Sequence, residues 1–185
     1  MAADFAQAAD DLAAALLLAT SEPADAIRLL LPLTDWQPRP LPGTGPLWAN
    51  AQRAQNALAS NLRCSACAAL ARASVLYQPV SYQDAQTVRR LVCDALDAEA
   101  VRAADAALDA TWQALRNLRA AVALDLAVRG AELALLVEIE TRVPMPSLAE
   151  AWTLYQDTTR EPQLVRSAGP AHPLFMPLEF PALAR

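Results

Sequence analysis

The sequence predicts a mainly α fold, an antiparallel helical bundle with one short extended segment and proline-rich straps. Apolar residues recur at spacings of three and four over long stretches without proline, which is the period of an α-helix. Alanine and leucine, both good helix formers, are abundant, and glycine occurs only 4 times in 185 residues. The 14 prolines gather in clusters, so they divide the chain into separate helical segments.

The longest helical pattern spans residues 97–130 and is the centre of this prediction. An apolar stripe follows it at helical spacing: Val101, Ala104, Leu108, Trp112, Leu115, Leu118, Val122 and Leu126. At about 1.5 Å per residue, a helix of this length extends roughly 50 Å. We therefore expect one unbroken helix that forms the spine of the bundle, with Trp112 in its core. Whether this helix begins at Asp97 or continues from the preceding helix stays open here.

Residues 1–46 predict an N-terminal helical arm and a proline-rich linker. One helix is expected over 3–19 and a second from an N-cap at Ser21 to Leu31. Prolines dominate the segment 32–46, so a helix is not expected there. Trp36 and Trp48 flank this strap, and they either pin it to the protein or present it to another chain.

Residues 47–166 predict the helical bundle. A long helix is expected over 47–77, and Ser81 with Asp84 caps a further helix that runs to residue 96 before the spine.

After the spine, the pattern changes. Alternating apolar and charged residues between 133 and 143 predict the short extended segment. Ser147 and Glu150 form a capping-box pattern that opens a helix carrying Trp152 and Tyr155. A short helix near 161–166 follows, and residues 167–185 predict a C-terminal extended strap.

Charge and composition restrict the classes of partner. The net charge is −5 and every one of the 15 basic residues is arginine. This acidic balance argues against nucleic-acid binding, which needs a basic surface. No apolar run is long enough to span a membrane, so no membrane partner is expected. The odd number of cysteines, 3, does not suggest a disulfide framework.

Residues with chemical potential are few and isolated. Cys64 and Cys67 match C-x-x-C, but they lie in the middle of a predicted helix and read as small buried hydrophobes. His172 is the only histidine and has no identifiable acid or nucleophile partner. Acidic residues such as Asp94 and Glu99 read as a solvated helix face. We therefore expect no enzyme activity, no catalytic residue, no cofactor and no metal site.

The segment 147–180 resembles the C-terminal end of the Mu-like phage DNA circularisation proteins, a family of tail and baseplate proteins. The matching residues are Leu148, Trp152, Leu154, Tyr155, Asp157, His172, Pro173, Phe175, Pro177, Leu178 and Glu179. The stretch from Arg119 to Leu133 is similar to another segment of the family, so the resemblance covers about residues 85–180. The chain has Leu174 where the family has glycine, and it lacks the family's N-terminal domain.

This resemblance implies a structural virion component of a phage tail or baseplate that mediates contacts between subunits near the tail hub. It implies other tail or baseplate proteins as partners and a location in the virion, or in the host cytoplasm during assembly. Long alanine-rich helices with extended arms suit symmetric assembly, so we expect a homo-oligomeric ring in which the N-terminal helices and the proline strap are contact surfaces. The alternative is a soluble helical adaptor or a tail-assembly chaperone. The candidate contact residues are aromatic side chains and the single histidine: Trp36, Trp48, Trp152, Tyr155, His172 and Phe175.

Overall fold

The computed structural model describes residues 2–184, and the fold is mainly α as predicted. The α-helices found there are α1 (Ala2–Ala19), α2 (Pro23–Thr34), α3 (Pro46–Leu76), α4 (Tyr82–Asp105), α5 (Asp109–Ala131), α6 (Ser147–Tyr155) and α7 (Glu161–Ala168). A 3-10 turn spans Thr158–Arg160. The two strands are β1 (Leu136–Glu140) and β2 (Glu179–Leu183).

The chain forms two compact units. The first contains the residues up to 78 together with 86–128, and the second contains 79–85 together with the residues from 129 onward. The division into an arm (1–46), a bundle (47–166) and a strap (167–185) is a different partition, and it stays a prediction.

The first unit is held together by an alanine-rich core. Helices α1 and α2 both pack against α3. The buried core residues come from five helices and are Ala13, Ala26, Ile27, Leu30, Cys67, Ala69, Leu70, Ala71, Ala73, Val88, Val92, Leu96, Ala100, Ala103, Leu115, Val122 and Leu126. Because alanine is small, the helix axes can approach closely, but each contact buries little apolar area.

The predicted unbroken spine is wrong, because the chain turns between α4 and α5. Ala107 adopts the left-handed conformation with φ 55°. Its N–H donates to the carbonyl of Ala104, and the N–H of Leu108 donates to the carbonyl of Ala103, both at 2.9 Å. These two bonds form a Schellman C-cap, which usually carries glycine at the left-handed position. Helix α4 passes through Asp97 without interruption, which answers the open question about that residue.

The break also changes which residues face the core. Val101, on the predicted inner stripe, is 61% exposed, and Leu108 is exposed as well. Beyond the break, Leu115, Val122 and Leu126 are buried, while Trp112 is partly buried against the same core. A turn between two helices resets the helical phase, so one stripe could not describe both.

Two other helix boundaries differ from the prediction. Helix α2 begins after Glu22, not Ser21, and it continues through Pro32 to Thr34. A proline in the last turn is tolerated there, and the hydroxyl of Thr34 donates to the carbonyl of Leu31 at 2.7 Å. Helix α3 has nearly the predicted bounds.

The second unit is built on a two-stranded antiparallel sheet. The register runs from Leu136 opposite Leu183 to Glu140 opposite Glu179. The extended segment predicted after the spine is therefore confirmed as β1, and the C-terminal strap supplies its partner strand. The buried core residues of the second unit are Ala151, Leu164, Met176, Phe180 and Ala182.

The other two predicted helix caps, those of α4 and α6, have opposite outcomes. The cap of α4 is confirmed, since the N–H of Asp84 donates to the hydroxyl of Ser81 at 3.1 Å. The capping box of α6 is wrong. Pro146 occupies the N-cap position, and the hydroxyl of Ser147 donates to a carboxylate oxygen of Glu161 at 2.6 Å.

Candidate interaction surfaces

A buried ion cluster lies inside the first unit and consists of Arg63, Glu99 and Arg102, called here the Glu99 cluster. Glu99 is 0% exposed, so the expectation of a solvated face is wrong for this residue. Its carboxylate accepts hydrogen bonds from Arg63 Nε at 2.6 Å and from Arg102 Nη1 at 3.2 Å. Ser60 donates to the same carboxylate at 3.2 Å. A buried carboxylate is tolerated only when it is paired and hydrogen-bonded in this way.

The Glu99 cluster fixes the start of the proline-rich strap. Arg63 Nη1 donates to the backbone carbonyl of Trp36 at 3.1 Å, and Arg102 Nη1 donates to the carbonyl of Thr34 at 3.2 Å. Arg102 also forms an ion pair with Asp35. The two arginines therefore satisfy carbonyls at the end of α2 and hold the chain where it leaves the helix.

The far end of the strap is held by α3. The ring of Trp48 lies so close to Gly43 that a Cβ on that glycine would clash with it. Gln52 Oε1 accepts a hydrogen bond from the N–H of Leu41 at 2.9 Å. Both predicted strap residues, Trp36 and Trp48, nevertheless keep part of their surface in solvent. The strap is therefore held by contacts at both ends, while the indole rings of Trp36 and Trp48 that flank it stay accessible.

The helical spacing of the sequence contains a signal for the Glu99 cluster, because its charged residues fall on the apolar faces of their helices. Glu99 follows Leu96 by three positions and precedes Ala103 by four, and both neighbours are buried. Arg63 lies four positions after Ala59, which is also buried. Opposite charges on the apolar faces of two helices predict a buried pair.

The C-x-x-C pair lies inside the first unit, where Cys67 is buried and Cys64 is partly buried. Burial raises the pKa of the Cys67 thiol to about 12, and burial together with the charge of Glu99 raises that of Cys64. Thiols in this state are poor nucleophiles and poor ligands at neutral pH. Within residues 2–184, no three His, Cys, Asp or Glu side chains are grouped so as to hold a metal ion.

An arginine-lined cavity of about 630 Å³ is also present in the first unit. Arg89, Arg90 and Arg119 line it together with Asp94. Arg119 Nε donates to Asp97 at 2.7 Å, so one of the three guanidinium groups is already paired. The cavity carries a local positive charge within an acidic protein.

In the second unit, Tyr155 has a structural position. Its hydroxyl oxygen accepts a hydrogen bond from the N–H of Leu183 in β2 at 3.1 Å. The guanidinium of Arg160 lies 3.9 Å from the centre of its ring, which is a cation–π contact. The ring is partly buried against the core of this unit.

His172 and Phe175 form the ends of an exposed turn. The N–H of Phe175 donates to the carbonyl of His172 at 3.0 Å, and the two ring centres are 6.4 Å apart. The imidazole Nδ1 of His172 accepts a hydrogen bond from the N–H of Leu174 at 3.1 Å. The histidine therefore serves the turn with one of its two nitrogens.

Exposed apolar side chains surround this turn and the start of α6. The carbonyl of Pro173 accepts a hydrogen bond from the N–H of Ser147 at 2.8 Å, so the turn lies beside the first residue of α6. Phe175 is 70% exposed and Trp152 is 55% exposed. We call this surface the α6 patch, and it consists of Leu148, Trp152, Leu174 and Phe175. The structure thus brings three of the six predicted contact residues, Trp152, His172 and Phe175, into one region of the second unit.

Comparison with known proteins gives no assignment. Among the helices of residues 2–184, none has both the length and the apolar composition needed to cross a bilayer. No protein-family model matches the chain, and no curated protein matches it.

Proposed function

We propose that this chain is a structural component of a phage tail or baseplate, without enzymatic activity, that joins neighbouring subunits. The observation that carries the proposal is the α6 patch, where large apolar side chains of α6 and of the turn beside its first residue lie in solvent. Exposed aromatic residues in a contiguous group are typical of protein–protein interfaces. The patch falls inside the segment 147–180 that resembles the tail protein family.

The second copy of the chain is the occupant we propose for the α6 patch. Most soluble homo-oligomers have closed point-group symmetry, and in a ring each subunit contacts the next one.

The absence of enzymatic activity in this proposal rests on the chemistry of the candidate groups. The thiol pKa values of Cys64 and Cys67 are raised, which disfavours their reactive form. His172 lies in an exposed turn and accepts a backbone hydrogen bond through Nδ1. A general base needs a second group that orients it toward a substrate.

Light scattering coupled to size-exclusion chromatography tests the oligomeric part of this proposal. The purified chain is expected to form a closed oligomer at micromolar concentration, and Trp152→Ser combined with Phe175→Ser should yield monomers. Val101→Ser is the matched control, because Val101 is similarly exposed but lies in the first unit. A chain that stays monomeric at 100 µM, or a control that dissociates equally, contradicts the role of the patch.

A density gradient tests the virion part. When the chain is produced from its native genomic setting, we expect it to sediment with contractile tail particles. If it stays at the top of the gradient while tails are formed, the chaperone or adaptor is the better description.

A further inference from the structure

The two edges of the β1–β2 ribbon are different, and the difference follows from its register. In an antiparallel pair, opposite residues alternate between bonded and non-bonded positions. The N–H of Ala184 donates to the carbonyl of Leu135, and the N–H of Thr141 donates to that of Leu178, both at 2.7 Å. These bonded pairs bracket the register, so the residues at 136, 138 and 140 direct their backbone groups away from β2.

The outer edge of β2 is closed. Pro181 lies at an outward position, opposite Glu138, and it has no N–H to offer. The outward N–H of Leu183 donates to the hydroxyl of Tyr155. These two features are the devices by which proteins protect a sheet edge from another strand.

Along the outer edge of β1, the backbone of the first residue, Leu136, is hydrogen-bonded by a side chain, whereas the later outward positions of this described strand are open. The side-chain amide of Gln83 bonds both backbone groups of Leu136: it donates to the carbonyl at 3.0 Å and accepts from the N–H at 2.8 Å. A primary amide in this position imitates one peptide unit of a third strand. At the next outward positions, Glu138 and Glu140, the backbone groups form no hydrogen bond with another of the described residues on this side.

We propose that the outer edge of β1 binds an extended peptide segment of a partner protein, with basic residues opposite Glu138 and Glu140. The segment adds a third strand and continues the bonding that Gln83 begins. Strand addition takes its affinity from main-chain hydrogen bonds and its specificity from alternate side chains. This surface is separate from the α6 patch, and its test requires no virion.

Charge selects the occupant of this edge. Glu138 and Glu140 are exposed and point to the same face of the strand, and Glu140 lies directly opposite Glu179. Like charges in opposite positions are unfavourable, whereas opposite charges stabilise the pair. A second copy of β1 paired with the first would bring glutamates of the two copies together, so self-pairing is disfavoured. An incoming strand with arginine or lysine at every second position places one positive charge opposite Glu138 and another opposite Glu140.

The test is a titration of the full chain with the peptide acetyl-TVRVRVT-amide, followed by isothermal calorimetry and backbone NMR. The amide protons of Glu138 and Glu140 should become protected from exchange, and binding should weaken as salt is added. The acidic control, acetyl-TVEVEVT-amide, should bind about tenfold more weakly, because two attractive cross-strand pairs become repulsive.

Backbone methylation separates strand addition from simple charge attraction. N-methylation of the two arginine residues removes the donors that face β1 and should weaken binding about tenfold. N-methylation of the two outer valines changes donors that face away, so the affinity should stay within about twofold.

Two protein variants complete the experiment. Glu138→Pro removes one outward donor together with the Glu138 carboxylate, and Pro181 at the opposite position shows that this ladder accepts proline there. It should reduce peptide affinity about tenfold, and circular dichroism should show an unchanged helix content. Glu138→Arg with Glu140→Arg should reverse the preference toward the acidic peptide.

The proposal is overturned if the basic and acidic peptides bind equally, or if neither binds. It is also overturned if methylated arginine and methylated valine peptides behave alike, or if sedimentation shows that β1 mediates a dimer that Glu138→Pro abolishes.

Discussion

Glu99→Gln is the substitution that most directly tests the architecture of the first unit. The glutamine has nearly the same size as the glutamate, so the change removes a charge without opening a cavity. Two guanidinium groups, those of Arg63 and Arg102, then lose their common anion inside the protein. We expect the free energy of unfolding to fall by about 3 kcal/mol.

This magnitude follows from the burial of the three groups. Breaking a buried ion pair by removing one partner costs about 3–5 kcal/mol, because the other charge remains buried and unpaired. Arg102 is partly exposed and Arg63 keeps its bond to the carbonyl of Trp36, so the lower end of that range applies. The bond from Arg63 Nε to Glu99 is the shorter of the two at 2.6 Å.

The measurement is urea unfolding followed by circular dichroism at 222 nm. Asp35→Asn is the matched control, since it also removes a carboxylate from Arg102, but the Asp35 side chain is 76% exposed. Exposed ion pairs contribute about 0–1 kcal/mol, so the control should lose less than about 1 kcal/mol. Equal losses in the two variants, or a loss below about 1 kcal/mol for Glu99→Gln, would refute the reasoning.

A double substitution extends the test. Replacing both Glu99 and Arg63 by methionine removes the stronger pair as a unit and supplies apolar volume in its place. Buried ion pairs replaced in this way often cost little, so the double variant should be more stable than Glu99→Gln. If it is less stable, the pair itself stabilises the fold.

Three further changes report on single residues. Burial raises the pKa of Glu150, so the contribution of this group to stability is present at acidic pH and is lost as pH rises through its folded-state pKa; Glu150→Gln should remove this part of the pH dependence and gain about 1 kcal/mol at pH 8 in urea melts, and equal pH profiles would count against it. Tyr155→Phe should cost about 1 kcal/mol and accelerate amide exchange at Leu183, which loses its acceptor; unchanged exchange there would exclude the bond. Trp112→Ala should cost about 2 kcal/mol in urea melts, less than a fully buried tryptophan, and a loss below about 0.5 kcal/mol would mean that its ring contributes nothing to the core.

Periodicity alone predicted much of the fold. Helices α1, α3 and α6 begin within one residue of their predicted positions, because proline or alanine-rich patterns mark their limits. The alternation around Val137 and Ile139 predicted β1, since period two places one side of a strand against a core. Local pattern does not indicate which distant segment pairs with a strand, and β2 was for that reason described only as an extended strap.

The main error concerned a turn that has no glycine. Ala107 adopts the left-handed conformation, which costs a residue other than glycine about 1 kcal/mol or more. Because glycine usually occupies this position and alanine stands there instead, the sequence carries no signal for the end of α4. The capping pattern at Ser147 failed for a different reason. Its hydroxyl has a competing acceptor in Glu161, fourteen residues later, and short motifs contain no information about such a contact.

The candidate contact residues were only partly accessible to sequence reasoning. Exposure of Trp152 and Phe175 agrees with a contact role, but the same composition could have placed both rings in a core. Tyr155 belongs largely to the interior of the second unit. The Glu99 cluster was missed because charges on a helix were assigned to the solvated face, although its neighbours at spacings of three and four are apolar.

The register of the ribbon also has a consequence for how this protein is made. Strand β1 finds its partner more than forty residues later in the chain, and the pair closes the second unit. On the ribosome, the residues of the first unit have all been synthesised by position 128, whereas β1 must wait until residue 183 leaves the exit tunnel. During that interval β1 lacks its partner strand, so a nascent chain arrested near residue 170 should engage chaperones more strongly than one carrying a C-terminal linker long enough to bring residue 183 out of the tunnel.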